Sequence, residues 1–195
     1  MTVAFVLGNG VSRRGIPLNN LKENGTLYGC NALYRDFTPD VLVATDKPIA
    51  TLIQESGYSA KNTFYTRRPL AHLGGKDIPK PYFGFSSGPV ATALAANAGH
   101  NRIYMIGFDM GPSPSNQFNN IYSNSEFYKR SDSPPTYTGN WVKQITQICK
   151  EFKETKFIRV CGPTTARLPD LEKINNLDHV PTAYILDRIN KLKDF

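Results

Sequence analysis

The chain has 195 residues, a 40% hydrophobic share and a 20% charged share, which is room for one domain with its own core and too apolar for a disordered chain. Three cysteines, an odd number with no close CxxC pair, argue against a disulfide framework and a structural zinc site. The net charge of +7, with basic pairs at Arg13-Arg14, Arg67-Arg68 and Lys129-Arg130, suits a phosphorylated partner. No nucleic-acid-binding motif accompanies those pairs, so nucleic acid is only a weakly supported partner.

Val3–Leu7 is a continuous apolar run ending in Gly8-Asn9-Gly10. Such a run suits a central parallel strand covered on both faces. It is too short, and lacks the charged start, to be read as a signal peptide. Leu18–Glu23 predicts one or two helical turns. Thr26–Cys30 is a second strand, ending at Asn31, and Val41–Ala44 a third, ending near Asp46. Ile49–Ser56 reads as a helix after Pro48, and Asn62–Tyr65 as a weaker strand. Gly88–Ala98 is an alanine-rich helix stopped by Gly99. Arg102–Ile106 is a strand leading into Gly107-Phe108-Asp109. Trp141, Ile145, Ile148 and Phe152 recur at helical spacing within Asn140–Glu154. Lys156–Cys161 is a further strand, and 168–195 reads as terminal helices, Leu168–Asn175 and Pro181–Lys193. The exposed stretch Ala183–Lys193 is a possible homo-oligomer surface. No segment approaches the length of a transmembrane helix, and a reduced, cytoplasmic protein is expected, with Cys30 and Cys161 as buried thiols.

Alternating strands and helices predict a single Rossmann-like α/β domain spanning 1–195, a doubly wound and mostly parallel sheet with helices on both faces. Ligands of such sheets bind beyond the carboxyl ends of the strands. The segment 111–139 is rich in Pro, Ser, Asn and Tyr and reads as a long lid loop, with a short helix near Ser125–Lys129.

Four strand-end features carry the candidate chemistry. Gly8, Asn9 and Gly10 allow a tight turn and close approach to a ligand, Ser12 can donate a hydrogen bond, and Arg13 can grip a phosphate. This is neither the dinucleotide GxGxxG pattern nor a Walker loop. Ser86-Ser87-Gly88-Pro89 opens the alanine-rich helix, with Ser87 as a cap and open amides for an anion. Asn31 offers a donor and an acceptor to a base or ribose, or simply stabilises a turn. Asp46 and Asp109 follow strands, where carboxylates serve as a general base, as magnesium ligands beside phosphates, or as turn and capping residues. His72, His100 and His179 lie in no metal-ligand spacing, and no Gly-x-Ser-x-Gly elbow is present.

In order, these motifs resemble those of bacterial sialyltransferases that decorate lipooligosaccharides. The matched stretches are Gly8-Asn9-Gly10-Val11-Ser12, Cys30-Asn31, Ser86-Ser87-Gly88, Ile103 to Asp109 through Gly107, and Cys161-Gly162-Pro163-Thr164. The resemblance implies a nucleotide-sugar donor held by Gly8, Asn9, Gly10, Asn31, Ser87, Gly88 and Asp109, a lid tyrosine, Tyr122, on the leaving phosphate, and no metal. Two departures stand out. Val11 replaces the family's proline, and Pro135 to Trp141 lacks the family's catalytic histidine, so Asp109 or Asp46 has to act as base. The stretch Pro39 to Asp46 is similar to 6-hydroxymethylpterin diphosphokinase-like proteins, which implies Asp46 as a magnesium ligand in pyrophosphoryl transfer. The expected function is therefore glycosyl transfer from a nucleotide sugar, with a non-catalytic nucleotide-binding protein or a magnesium-dependent diphosphokinase as alternatives.

Overall fold

The computed structural model describes residues 2–191. Its elements in chain order are β1 (Val3–Leu7), α1 (Leu18–Asn24), β2 (Thr26–Cys30), β3 (Val41–Val43), α2 (Lys47–Glu55), α3 (Tyr58–Lys61), β4 (Phe64–Thr66), β5 (Lys76–Asp77), α4 (Ser87–Asn97), β6 (Arg102–Ile106), α5 (Gly139–Glu151), β7 (Lys156–Cys161), α6 (Pro169–Glu172), β8 (Leu177–Pro181) and α7 (Thr182–Lys191). The eight strands form one sheet in the order β5-β4-β3-β2-β1-β6-β7-β8, and every pairing is parallel. The chain walks outward from β1 to β5, returns through α4, and walks out the other way from β6. This is a Rossmann-like, doubly wound α/β fold, and its winding reverses between β1 and β6.

Strand alternation divides the core in two. Ala4, Val6, Ile103, Met105 and Phe157 face α4, α5 and α6. Phe5, Leu7, Tyr104, Ile106 and Ile158 face α1, α2 and α7. α4 is buried from Pro89 to Ala96, between the sheet and α5, which explains its small, apolar composition on every side. No described helix is long and apolar enough to cross a membrane.

Three expectations change. The terminal region holds both expected helices, shortened to Pro169–Glu172 and Thr182–Lys191, with an unexpected edge strand between them, Leu177–Pro181, in register with Phe157 to Cys161. Pro181 therefore ends a strand and does not begin a helix, while Lys193 lies outside the described residues. The apolar face of α7 is not spare either, because Ile185 and Ile189 are fully buried against the sheet. The expected helix near Ser125–Lys129 is a turn, since Asn124 (φ 66) and Phe127 (φ 69) are left-handed.

Candidate functional site

β1 and β6 pair in register to their last residues, Leu7 with Ile106. The turns that follow therefore lie against each other. The Gly8 amide donates to the Ile106 carbonyl at 2.8 Å, and the Gly10 amide to the Gly107 carbonyl at 2.9 Å. A Cβ on Gly8 would sit 2.5 Å from the Gly107 oxygen, and one on Gly10 2.5 Å from Cγ of Asp109. Gly107 itself is left-handed, at φ 75. These glycines thus serve a close approach, but of one strand-end turn to the other.

Asp109 ties this junction together. It is 3% exposed. Its Oδ2 accepts from the Ser12 amide (3.1 Å), Nδ2 of Asn119 (3.1 Å) and Oγ1 of Thr164 (2.7 Å). Its Oδ1 accepts from the Ser12 hydroxyl and from Oγ1 of Thr165 (3.2 Å). Five donors from three segments leave this carboxylate no capacity for a substrate proton. Arg159 secures the same turn from below: its buried guanidinium donates to the carbonyls of Phe108, Asp109 and Ala166.

Ser12 and Arg13 are also structural. The Arg13 side chain is 7% exposed and folds under the turn, with Nε donating to the Gly8 carbonyl at 3.0 Å and Nη2 at 3.5 Å from both Oδ1 of Asn9 and the Tyr122 hydroxyl. Tyr122 packs in the core on the α2 side, and burial pushes its hydroxyl up to about 12. Neither residue lines the cleft described next. The 111–138 segment is pinned as a wall more than hung as a lid: the Ile121 amide donates to the Asn9 carbonyl at 2.8 Å, and Oδ1 of Asn119 accepts from the Val11 amide at 2.9 Å.

The cleft opens at the carboxyl edge of β1, β2, β3 and β6, with a volume of about 230 Å3. It brings together Gly8, Asn9, Gly10, Asn31, Asp46, Ser86, Ser87, Gly88, Gly107 and Asp109 from the sequence-derived set. The start of α4 forms part of its lining. Ser86 occupies the cap position in extended conformation but makes no capping bond. The first helical amide with a partner is that of Val90, donating to the Ser86 carbonyl at 3.0 Å. Pro89 has no N–H, so the Ser87 and Gly88 amides are left without acceptors and face the cleft at the positive end of the helix. The Ser87 hydroxyl does not cap. It accepts from the Thr45 amide at 3.0 Å and donates to Oδ1 of Asn31 at 3.0 Å. Asn31, left-handed at φ 52, thereby keeps Nδ2 free to donate into the cleft.

Sequence reading missed several lining residues. Arg67 donates through Nε and Nη2 to the carbonyls of Phe83 and Phe85, both at 2.7 Å, and its Nη1 stays unpaired on the cleft wall. Trp141, half-buried at the start of α5, gives a flat apolar wall together with Phe108 and Met110. Thr45, Asn119 and Asn120 complete the rim. The Arg67-Arg68 pair was visible only as local charge. Cys30 lies at the floor as an inert thiol, with burial raising it to about 12.

Asp46 differs from Asp109. It is exposed on the rim, at the cap position of α2, and its side chain makes no capping bond. It is the lining carboxylate with free oxygens. A magnesium ion shared by Asp46 and Asp109 does not fit this donor set, since the oxygens of Asp109 are already saturated and no cluster of three or more His, Cys, Asp or Glu side chains forms among the described residues. The site therefore belongs to a doubly wound α/β protein and sets an uncapped helix start beside one carboxylate with free oxygens. Comparison with family models, curated proteins and solved structures yields no match.

Proposed function

We propose that the chain binds the phosphate-bearing part of a nucleotide sugar in this cleft and transfers the glycosyl group. The observation that carries the reading is the pair of unspent amides at Ser87 and Gly88, facing a cleft that also holds the free Nη1 of Arg67. Asn31 and Asn9 offer polar edges for a ribose or base, and Trp141 a face for stacking. A cytoplasmic setting, rich in nucleotide sugars, agrees with three free cysteines.

In this mechanism Asp46 takes the proton of the acceptor hydroxyl. The acceptor oxygen forms its bond to the anomeric carbon as the bond from that carbon to the donor phosphate breaks. The electron pair leaves with the phosphate, where the Ser87 and Gly88 amides and Arg67 meet the new charge. Asp109 holds the turn and takes no proton. Tyr122 and Arg13 act behind the turn, fixing it.

The test is a panel of nucleoside diphosphates and nucleotide sugars, read by thermal shift and by release of free nucleotide. Binding should raise the melting temperature by mass action and survive chelation of divalent cations. Asp46→Asn should keep that shift and lose turnover. Shifts with no turnover on any acceptor would leave a nucleotide-binding protein without glycosyl transfer. Shifts abolished by chelation would favour the diphosphokinase reading.

A further inference from the structure

The wall segment carries one side chain that packing does not account for. Phe127 is 47% exposed, and its backbone is left-handed at φ 69. It stands third in a turn closed by the Tyr128 amide on the Ser125 carbonyl, at 3.0 Å. Glycine takes a positive φ there freely, whereas a bulky side chain takes it at a cost. The ring belongs to neither core cluster, so burial does not offset that cost. Residues held in such conformations gather at sites that grip a ligand.

The turn is fastened on both sides of Phe127. Arg35 donates through Nη1 to the Ser125 hydroxyl at 3.1 Å and through Nη2 to the Glu126 carbonyl at 3.2 Å. The Ala32 amide donates to the Tyr128 hydroxyl at 3.3 Å, and the Tyr128 ring packs on Tyr122 with centroids 5.8 Å apart. The ring is thus held beside the residues that follow β2.

It borders a second, smaller pocket of about 90 Å3 at the start of α2, lined by Asn31, Asp46, Pro48, Ile49, Phe127 and Tyr128. Asn31 and Asp46 line the main cleft as well, so the two spaces share a border. The smaller one has apolar and aromatic walls, one carboxylate and no cation. That lining disfavours a phosphate. It suits a ring with C–H groups on its face and hydroxyls on its edge.

We propose that Phe127 is the platform of a sugar subsite: a pyranose lays its C–H face on this ring and turns a hydroxyl toward Asp46. The nucleotide part of the donor then occupies the Ser87 and Trp141 side of the main cleft, and Asp46 stands between the two sugars. The role of the bound pyranose as acceptor rests on the glycosyl-transfer reading, whereas its binding does not.

The experiment titrates the full chain with methyl glucoside, methyl galactoside and methyl N-acetylglucosaminide, with and without nucleoside diphosphate. The signals followed are the 13C-labelled Phe127 ring and the 15N-labelled Asp46 and Ile49 amides. At least one glycoside should shift them together and saturate. Sorbitol, which has no ring face, and free nucleosides should leave them in place. Phe127→Gly should weaken glycoside binding about tenfold at the two amides, while Phe127→Trp should retain it. The melting temperature of the unliganded Phe127→Gly chain should hold or rise, because glycine accepts this φ. No saturable shift with any glycoside, equal binding of sorbitol or a nucleoside, or binding that Phe127→Gly leaves unchanged would overturn the proposal. So would a Phe127→Gly chain that melts well below the parent, since the ring would then be a packing residue. Glycoside bound at Phe127, with the Ser87 and Gly88 amides unmoved by any nucleoside diphosphate, would sink only the glycosyl-transfer reading, and the reverse result only this one.

Discussion

Replacing Asp109 with alanine separates structural from chemical roles at the strand-end junction. The carboxylate accepts from two N–H groups, of Ser12 and Asn119, and three hydroxyls, of Ser12, Thr164 and Thr165. The hydroxyls can rotate to other acceptors, but the Ser12 amide cannot, and Asn119 retains only its long contact to the Thr164 carbonyl at 3.4 Å. A stranded buried donor costs about 1–3 kcal/mol, and the charge-assisted bonds are lost as well, so the total is about 3–5 kcal/mol. At this chain length each kcal/mol lowers the melting temperature by about 2–4 °C, so a fall of about 6–20 °C is expected. Asp109→Asn should lose far less, because its new NH2 can donate to the Ser12 and Thr165 hydroxyls while its oxygen keeps the N–H donors. Asp46→Ala, at an exposed carboxylate with no capping bond, should stay within about 1 kcal/mol of the parent. Calorimetry and urea unfolding of the three variants measure this order. An Asp109→Ala protein that melts within about 2 °C of the parent would refute the reasoning.

Gly10→Ala should destabilise by about 1–3 kcal/mol, since its methyl meets the Asp109 carboxyl and the Gly107 carbonyl below 3 Å and neither can retreat, and urea midpoints would show it. Acid sensitivity is also expected. Burial lowers the pKa values of His100 and His179 below the ordinary 6.5. The unfolded chain then binds more protons than the folded one, so the stability from keeping these rings neutral is complete above about pH 6.5 and declines as the pH falls through the shifted values. Melting curves from pH 7.5 to 5 should slope downward toward acid, and a His100→Asn, His179→Asn double variant should flatten that slope. An unchanged slope would remove these histidines from the account.

The central strands were legible because parallel strands covered on both faces are largely apolar, as Val3–Leu7 and Ile103 to Ile106 are, with Lys156–Cys161 departing only at its first residue and at the buried Arg159. The edge strands were not. Lys76–Asp77 is two charged residues, and Leu177–Pro181 carries Asp, His and a terminal Pro, a pattern that an edge position tolerates and periodicity does not reveal. The strand-end residues fall around one cleft because topology alone puts Gly8, Asn31, Asp46 and Gly107 along one sheet edge. Their individual roles needed distances. Nothing in Gly8-Asn9-Gly10 distinguishes packing on a neighbouring turn from packing on a ligand. Nothing in Arg13 indicates that it folds beneath the turn, while Arg67 reaches the cleft. The helical spacing of Trp141, Ile145, Ile148 and Phe152 put Trp141 on the apolar face of its helix, but not at the helix start, where that face meets the cleft.

The account depends most on the open start of α4, and amide resonances report on it directly. Titrating the 15N-labelled chain with nucleoside diphosphates should shift the Ser87 and Gly88 amides, the Asn31 side-chain amide and the Trp141 indole together, with a single saturation curve. Full saturation of nucleotide binding elsewhere on the protein, with those four signals stationary, would contradict it.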